Sequence, residues 1–215
     1  MSVATEHMYR DHHEGRGRMG YSILGDARGA FLRGHIGTNK RVLDIGCRDG
    51  TLTASYAKGN TVTGVDIDSE ALAKAKERLG IETMHFDLQE EWPLAQKSFD
   101  AVVAGEVLEH LFFPERVIEK AARVLRDDGI LVGSVPNAFS LINRFRLFFG
   151  RKRLTPLYDP THVNHFSRAE FSGLLALHFR EVTIEPLGRF ARLDALWKGM
   201  FAFDLLFVAK YPKRP

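Results

Sequence analysis

Four acidic residues stand where apolar runs stop. Asp44 sits in Val42-Leu43-Asp44-Ile45, Asp66 closes Val62-Thr63-Gly64-Val65, Asp87 follows Phe86, and Glu106 follows the run that ends at Gly105. A carboxylate at the first of these points suits a ligand bearing an ammonium group or a bound water. It would repel a pyrophosphate at close range. Asp66 follows Asp44 at the interval of about 20 residues at which the second strand of a βαβ unit offers an acid to ribose hydroxyls. The glycines between them, Gly46 and Gly50, give G-x-x-x-G, where dinucleotide sites have G-x-G-x-x-G. The ligand these residues describe is a nucleoside without a phosphate bridge. A second group carries proton or metal chemistry. Glu106, Glu109 and His110 fall at helical spacing, which would put them on one face, and His162 and His165 follow from a later loop.

These residues need elements to hold them. Residues 41–50 read as a buried strand running into a tight turn that opens a helix. The apolar pattern Ile23, Leu24, Ala27, Phe31, Leu32 predicts a helix over 19–36. Further helices are expected over 51–58 and over 70–79, the latter capped by Ser69 and stopped by Gly80. A helix over 114–126 would start at Pro114, one after Ser167 would carry a capping box with Glu170, and one is expected over 189–200. Strands are expected over 61–66, 82–86, 98–104, 130–135, 181–187 and 203–209, with a turn at 127–129. Alternating strand and helix up to Val135 imply a mostly parallel sheet with helices on both faces. Ligands bind such sheets at the carboxyl ends of the strands, where all four acids would then meet.

Composition bounds the rest. The 215 residues suffice for one sizeable domain, and 45% apolar with 27% charged content is ordinary for a globular chain. A net charge of +3 permits an anionic partner without demanding one. Cys47 is the sole cysteine, which excludes an internal disulfide and a cysteine-based zinc site. With no signal-peptide pattern and no long apolar run, a cytoplasmic location is expected. The first 18 residues, with His7, His12 and His13, read as a solvated arm.

The stretch Val42-Leu43-Asp44-Ile45-Gly46-Cys47-Arg48-Asp49-Gly50 resembles the first motif of the class I S-adenosylmethionine-dependent methyltransferases, with Arg48 where that family usually has Gly. The resemblance, closest to the small ubiquinone-biosynthesis-like (type 11) group, spans about 41–209. It implies an α/β, Rossmann-like fold: a seven-stranded, mostly parallel sheet of order 3-2-1-4-5-7-6, strand 7 antiparallel, in one domain over 1–215. It implies S-adenosylmethionine as cofactor and S-adenosylhomocysteine as product. Asp44, Gly46, Cys47, Arg48 and Gly50 would form the first cofactor motif. Asp66 with Ile67, Asp87 with Leu88 (at the adenine), and Glu106 would complete the site. Arg48 would bring a positive charge near the methionine carboxylate, and the N-terminal arm, through Tyr9 or Arg18, would close over the cofactor.

Methyl transfer to a hydroxyl needs alignment and a proton acceptor. His110 or His162 is assigned as general base beside Glu106, and no metal ligand is assigned. Two other readings stay open: Glu106, Glu109, His110 and His162 holding a divalent ion, or histidines that merely fasten the structure. E-x-x-E-H with a later His is similar to the small-RNA 3′-terminal 2′-O-methyltransferases, so a metal-assisted RNA ribose methyltransferase is one alternative. A non-catalytic S-adenosylmethionine-binding module is another, and a nicotinamide-dependent dehydrogenase is disfavoured by the glycine spacing. Residues 138–166 read as a lid or acceptor insertion, in which Phe139, Phe145, Phe148 and Phe149 alternate with Arg144, Arg146, Arg151, Lys152 and Arg153. Its composition favours a small-molecule or lipid- or carrier-linked acceptor, with peripheral contact to membrane lipid; nucleic acid is the lesser reading.

Overall fold

The computed structural model describes residues 20–214. His7, Tyr9, His12, His13, Arg18 and Met19 lie outside the described residues. In chain order the elements are α1 (Gly25–Ile36), β1 (Arg41–Ile45), α2 (Ala54–Ala57), β2 (Thr61–Asp66), α3 (Ser69–Leu79), β3 (Glu82–His85), β4 (Phe99–Gly105), α4 (Pro114–Val124), β5 (Leu125–Pro136), α5 (Leu141–Phe148), α6 (Arg168–His178), β6 (Phe179–Leu187) and β7 (Asp204–Pro212). They form one seven-stranded sheet in the order β3-β2-β1-β4-β5-β7-β6. β1 to β5 pair in parallel, and β7 runs antiparallel between β5 and β6. This is the order and sense expected from the resemblance.

Both faces of the sheet are covered, so its central strands are apolar on both sides. Alternate residues of β4 part to opposite faces. Val102 and Ala104 join the layer of Val117, Ile118 and Ala121 from α4 and Phe171 and Leu175 from α6. Ala101 and Val103 join Leu32 and Ile36 from α1, Tyr56 from α2 and Ala75 from α3.

Several expected boundaries shift, each for a local reason. α1 starts only at Gly25, because Leu24 just before it takes a left-handed conformation (φ 52°). The helix expected over 51–58 shrinks to Ala54–Ala57: Thr51 donates its N–H and its hydroxyl to Asp49, and the Thr53 hydroxyl goes to Asp44, so this stretch wraps the two acids. The cap of α3 is Asp68 and not Ser69; its Oδ1 accepts from the N–H groups of Glu70 and Ala71. α4 stops at Val124, and β5 begins at once, where Leu125 pairs with Phe99 across a register shift, so no separate turn forms at 127–129. Over 189–200 only the 3₁₀ turn Ala191–Ala195 forms, because the Asp194 carboxylate gathers the N–H groups of Gly199 and Phe201. The Ser167–Glu170 capping box on α6 is present as read.

Candidate active site

A cleft of about 760 Å³ opens along the carboxyl ends of β1, β2 and β4, a size usual for small-molecule and cofactor sites. Asp44, Asp66, Asp87 and Glu106 all line it.

The first wall is the turn after β1. Gly46 (φ 72°) carries the chain round, and the N–H groups of Gly46 and Cys47 both bond the Val65 carbonyl. Arg48 takes φ 51° with a full side chain, a conformation that costs a non-glycine residue on the order of 1 kcal/mol. Contacts hold it there. Its N–H donates to Asp66 Oδ2 at 2.8 Å, its Nη2 donates to the Tyr21 carbonyl at 2.8 Å, and its Nε lies 3.4 Å from Asp49 Oδ1. Its charge is thus engaged by Tyr21 and Asp49. Cys47 is buried, with its thiol pushed up by burial and then by Asp44. Gly64 leaves room for it, since a Cβ there would lie 2.7 Å from Cys47 Sγ. Gly50 does not line the cleft; a Cβ on it would strike Leu79 of α3 at 2.7 Å. Its role is packing.

Asp66 is buried and oriented by two backbone donors, Arg48 N–H and Asp68 N–H. Burial raises its pKa despite them. Asp44 accepts the hydroxyls of Thr53 and Tyr56 on one oxygen, each at 2.6 Å. Burial pushes its carboxyl up to about 6 against the pull of those hydroxyls. Asp87 Oδ1 receives Gln89 N–H, and the Leu88 carbonyl receives Trp92 Nε1 and Lys120 Nζ. Ile67 lines the cleft and accepts His85 Nε2 at its carbonyl.

The second wall holds two residues that sequence reasoning passed over. Arg28 of α1 is buried and lies 2.5 Å from Asp204 of β7 and 3.0 Å from Glu106. Burial works against its charge, and Glu106 and Asp204 together outweigh burial. A signal existed: Arg28 lies one turn before Leu32 and two before Ile36, on the apolar face of α1.

The Glu106–His110 segment is not a helix with one shared face. Glu106 turns left-handed (φ 57°), and only the 3₁₀ turn Leu108–His110 follows. The result still converges. Glu109 is 1% exposed with neither carboxylate oxygen hydrogen-bonded; burial, then the Glu106 charge, pushes its pKa well up. His110 and His162 stack edge to face with ring centroids 4.8 Å apart. His110 Nδ1 bonds the Thr161 carbonyl at 3.0 Å, and His162 Nδ1 bonds the Pro156 carbonyl at 3.1 Å. A carbonyl only accepts, so each Nδ1 carries the proton and Nε2 is the basic position of the neutral ring. One ligand atom from each of Glu109, His110 and His162 lies within 4.8 Å of the others. His165 lies elsewhere, in a shallow groove beside Phe113 and Glu170.

Carboxylates of Asp44, Asp66, Asp87, Glu106 and Glu109 line the strand-end side of the cleft, with Arg28, Arg48, Arg146 and Arg153 also on its walls, and the Oε1 of Glu106 and both oxygens of Glu109 are buried without hydrogen bonds. A ligand that supplies hydroxyls, an ammonium or another cation fits these acceptors.

A methyltransferase-domain family profile matches residues 43–133. A probable S-adenosylmethionine-dependent methyltransferase of Mycobacterium tuberculosis is 36% identical over 64% of this chain and 47% of its own length. The chain thus spans about half the length of that relative. A ubiquinone biosynthesis O-methyltransferase of Paraburkholderia phymatum is 31% identical over 71% of this chain and 72% of its own length. Among solved structures, the 1,6-didemethyltoxoflavin-N1-methyltransferase of Burkholderia thailandensis, with bound 1,6-didemethyltoxoflavin and S-adenosylhomocysteine, superposes with a TM-score of 0.67 at 20% identity, covering 97% of this chain and 87% of that one. Sheet order, acid-lined cleft, profile and relatives converge: the chain belongs to the class I S-adenosylmethionine-dependent methyltransferases.

Proposed function

We propose that this chain methylates a hydroxyl oxygen of a small-molecule or lipid- or carrier-linked acceptor. In this reading Asp66 accepts from the ribose hydroxyls and Asp87 with Leu88 borders the adenine. Asp44 and Glu106 face the cationic methionine end. Bound there, S-adenosylmethionine supplies an electrophilic methyl carbon. The protein aligns the acceptor with it and takes the hydroxyl proton on an imidazole nitrogen. The observation that carries the reading is the pairing of His110 with His162 in the same cleft as the four strand-end acids. Each ring is oriented through Nδ1, with His110 Nε2 3.9 Å from Glu109 Oε1 and His162 Nε2 3.7 Å from Asp159 Oδ2. The ubiquinone biosynthesis O-methyltransferases among the relatives support oxygen as the target.

A second reading has a specific observation behind it. Glu109, His110 and His162 converge closely enough to share a divalent cation, which would lower the acceptor's pKa in place of a base. One experiment separates the two. Under the general-base reading, His110→Ala or His162→Ala lowers kcat by roughly 10²- to 10⁴-fold, with S-adenosylmethionine affinity retained, and a chelator leaves the parent's rate intact. Full turnover in both variants would remove the histidines from the chemistry. Loss of activity with chelator, restored by a divalent ion, would establish the cation reading.

A further inference from the structure

The cleft opens onto an apolar, basic surface. α5 buries Asn143 and points Ile142, Phe145 and Phe148 outward; Phe148 is 83% exposed. Phe149 extends the patch, its ring 4.7 Å from Phe145 and 5.2 Å from Phe148. A second strip adjoins it, since Leu141 N–H bonds the Met200 carbonyl. Trp197 and Leu196 project from that strip, Leu196 at 82% exposure. The surface reaches the cleft itself: Leu154, Tyr158 and Phe203 are about half-exposed and also line the cleft.

Charge says what covers this face. Between Phe139 and Tyr158 the chain carries Arg144, Arg146, Arg151, Lys152 and Arg153 and no acid. The second strip adds Arg189, Arg192 and Lys198, and its one acid, Asp194, is buried. Projecting Phe, Leu and Trp side chains ringed by Arg and Lys match the two layers of an anionic bilayer surface, acyl chains below and headgroups above. Several of the outward groups are aliphatic (Ile142, Leu154, Leu196), and these offer a nucleic acid base no aromatic plane to stack on.

We propose that this face docks on an anionic membrane surface and turns the cleft mouth toward the lipid, so that the acceptor enters from the bilayer. Only the acceptor's route rests on the methyltransferase reading; the docking does not.

The test is flotation of the full chain with vesicles of phosphatidylcholine containing phosphatidylglycerol, against phosphatidylcholine alone, without methyl donor. Binding is expected to the anionic vesicles and to weaken with salt. Phe148→Ser with Leu196→Ser, and separately Arg151→Glu with Lys152→Glu, each weaken it by roughly tenfold or more. S-adenosylhomocysteine affinity and thermal midpoint stay at the parent's values in both, which separates lost docking from lost folding and from failure of the methyl-transfer reading. The proposal is overturned if the parent ignores anionic vesicles at low salt, or if both variants bind as the parent does. It is also overturned if the patch instead mediates self-association, shown by a concentration-dependent dimer that Phe148→Ser with Leu196→Ser abolishes. Preferential binding of a single-stranded RNA over the vesicles, lost in the same variants, would assign the face to nucleic acid.

Discussion

At the scale of residues, the strand-end acids were legible because their positions follow from chain order alone. Their partners were not. Asp44 reads in the sequence as a bare ligand-facing carboxylate, yet Tyr56 and Thr53 reach back to one of its oxygens. In the sequence Tyr56 is one more apolar helix residue. The consequence is a pH dependence. Asp44 holds its proton up to about pH 6 when folded, against 3.8 for the ordinary group. Its raised pKa therefore favours the folded state below pH 3.8, and that contribution is lost as pH rises through about 6. Asp44→Asn escapes the loss. Relative to the parent it should gain about 2 kcal/mol in urea unfolding between pH 4 and pH 7. A difference that stays flat across this range would show that Asp44 ionises normally in the fold.

At the scale of elements, the central strands and α3, α4 and α6 were readable from periodicity and caps, and their boundaries moved where a side chain bonds backbone locally. Asp194 is the clearest case: its carboxylate winds a segment that periodicity alone reads as helix. α1 was also readable as an element, but its most consequential side chain was not, because an arginine on an apolar face looks like an interruption. Arg28 ties α1 to β7 and to the segment after β4. Removing it leaves the buried Asp204 and the partly exposed Glu106 near each other without a cation. Arg28→Ala should cost about 3–5 kcal/mol at pH 8. Asp204, which burial and then the Glu106 charge push up to about 7 against the pull of Arg28, rises further without it, and the stability this protonation retains is lost as pH climbs. The penalty should shrink at pH 5. Urea unfolding at the two pH values checks this, and an equal penalty at both would mean that the Asp204 carboxyl does not depend on Arg28.

At the scale of the whole molecule, the sheet order was an expectation of the family resemblance, and the placement of the cleft at the strand ends followed from general rules of parallel sheets. What the sequence left open was the convergence of distant segments. His162 meets His110, and Arg28 meets Asp204, only because the sheet brings β4, β5 and β7 side by side. Among the described residues no helix is long and apolar enough to cross a membrane, so the exposed aromatic face is a feature of the folded surface and not a misplaced span. One more convergence bears on how such a protein changes over time. The chain leaves the sheet at Asn137 and returns at Phe166, and these two residues bridge each other. Asn137 is buried and bonded through its amide to the Gly199 and Ala202 carbonyls, while Asn164 N–H bonds the Glu109 carbonyl. Departure and return share one fastened doorway. Whatever lies between can lengthen, shorten or be exchanged without moving a strand, because loop closure costs grow slowly with length. A chimera that replaces residues 138–165 with a relative's equivalent should keep its affinity for S-adenosylhomocysteine while its acceptor preference follows the donor of the graft. The strand ends would then be the inherited part of the enzyme, and the excursion from Asn137 to Phe166 the part through which lineages acquire new acceptors.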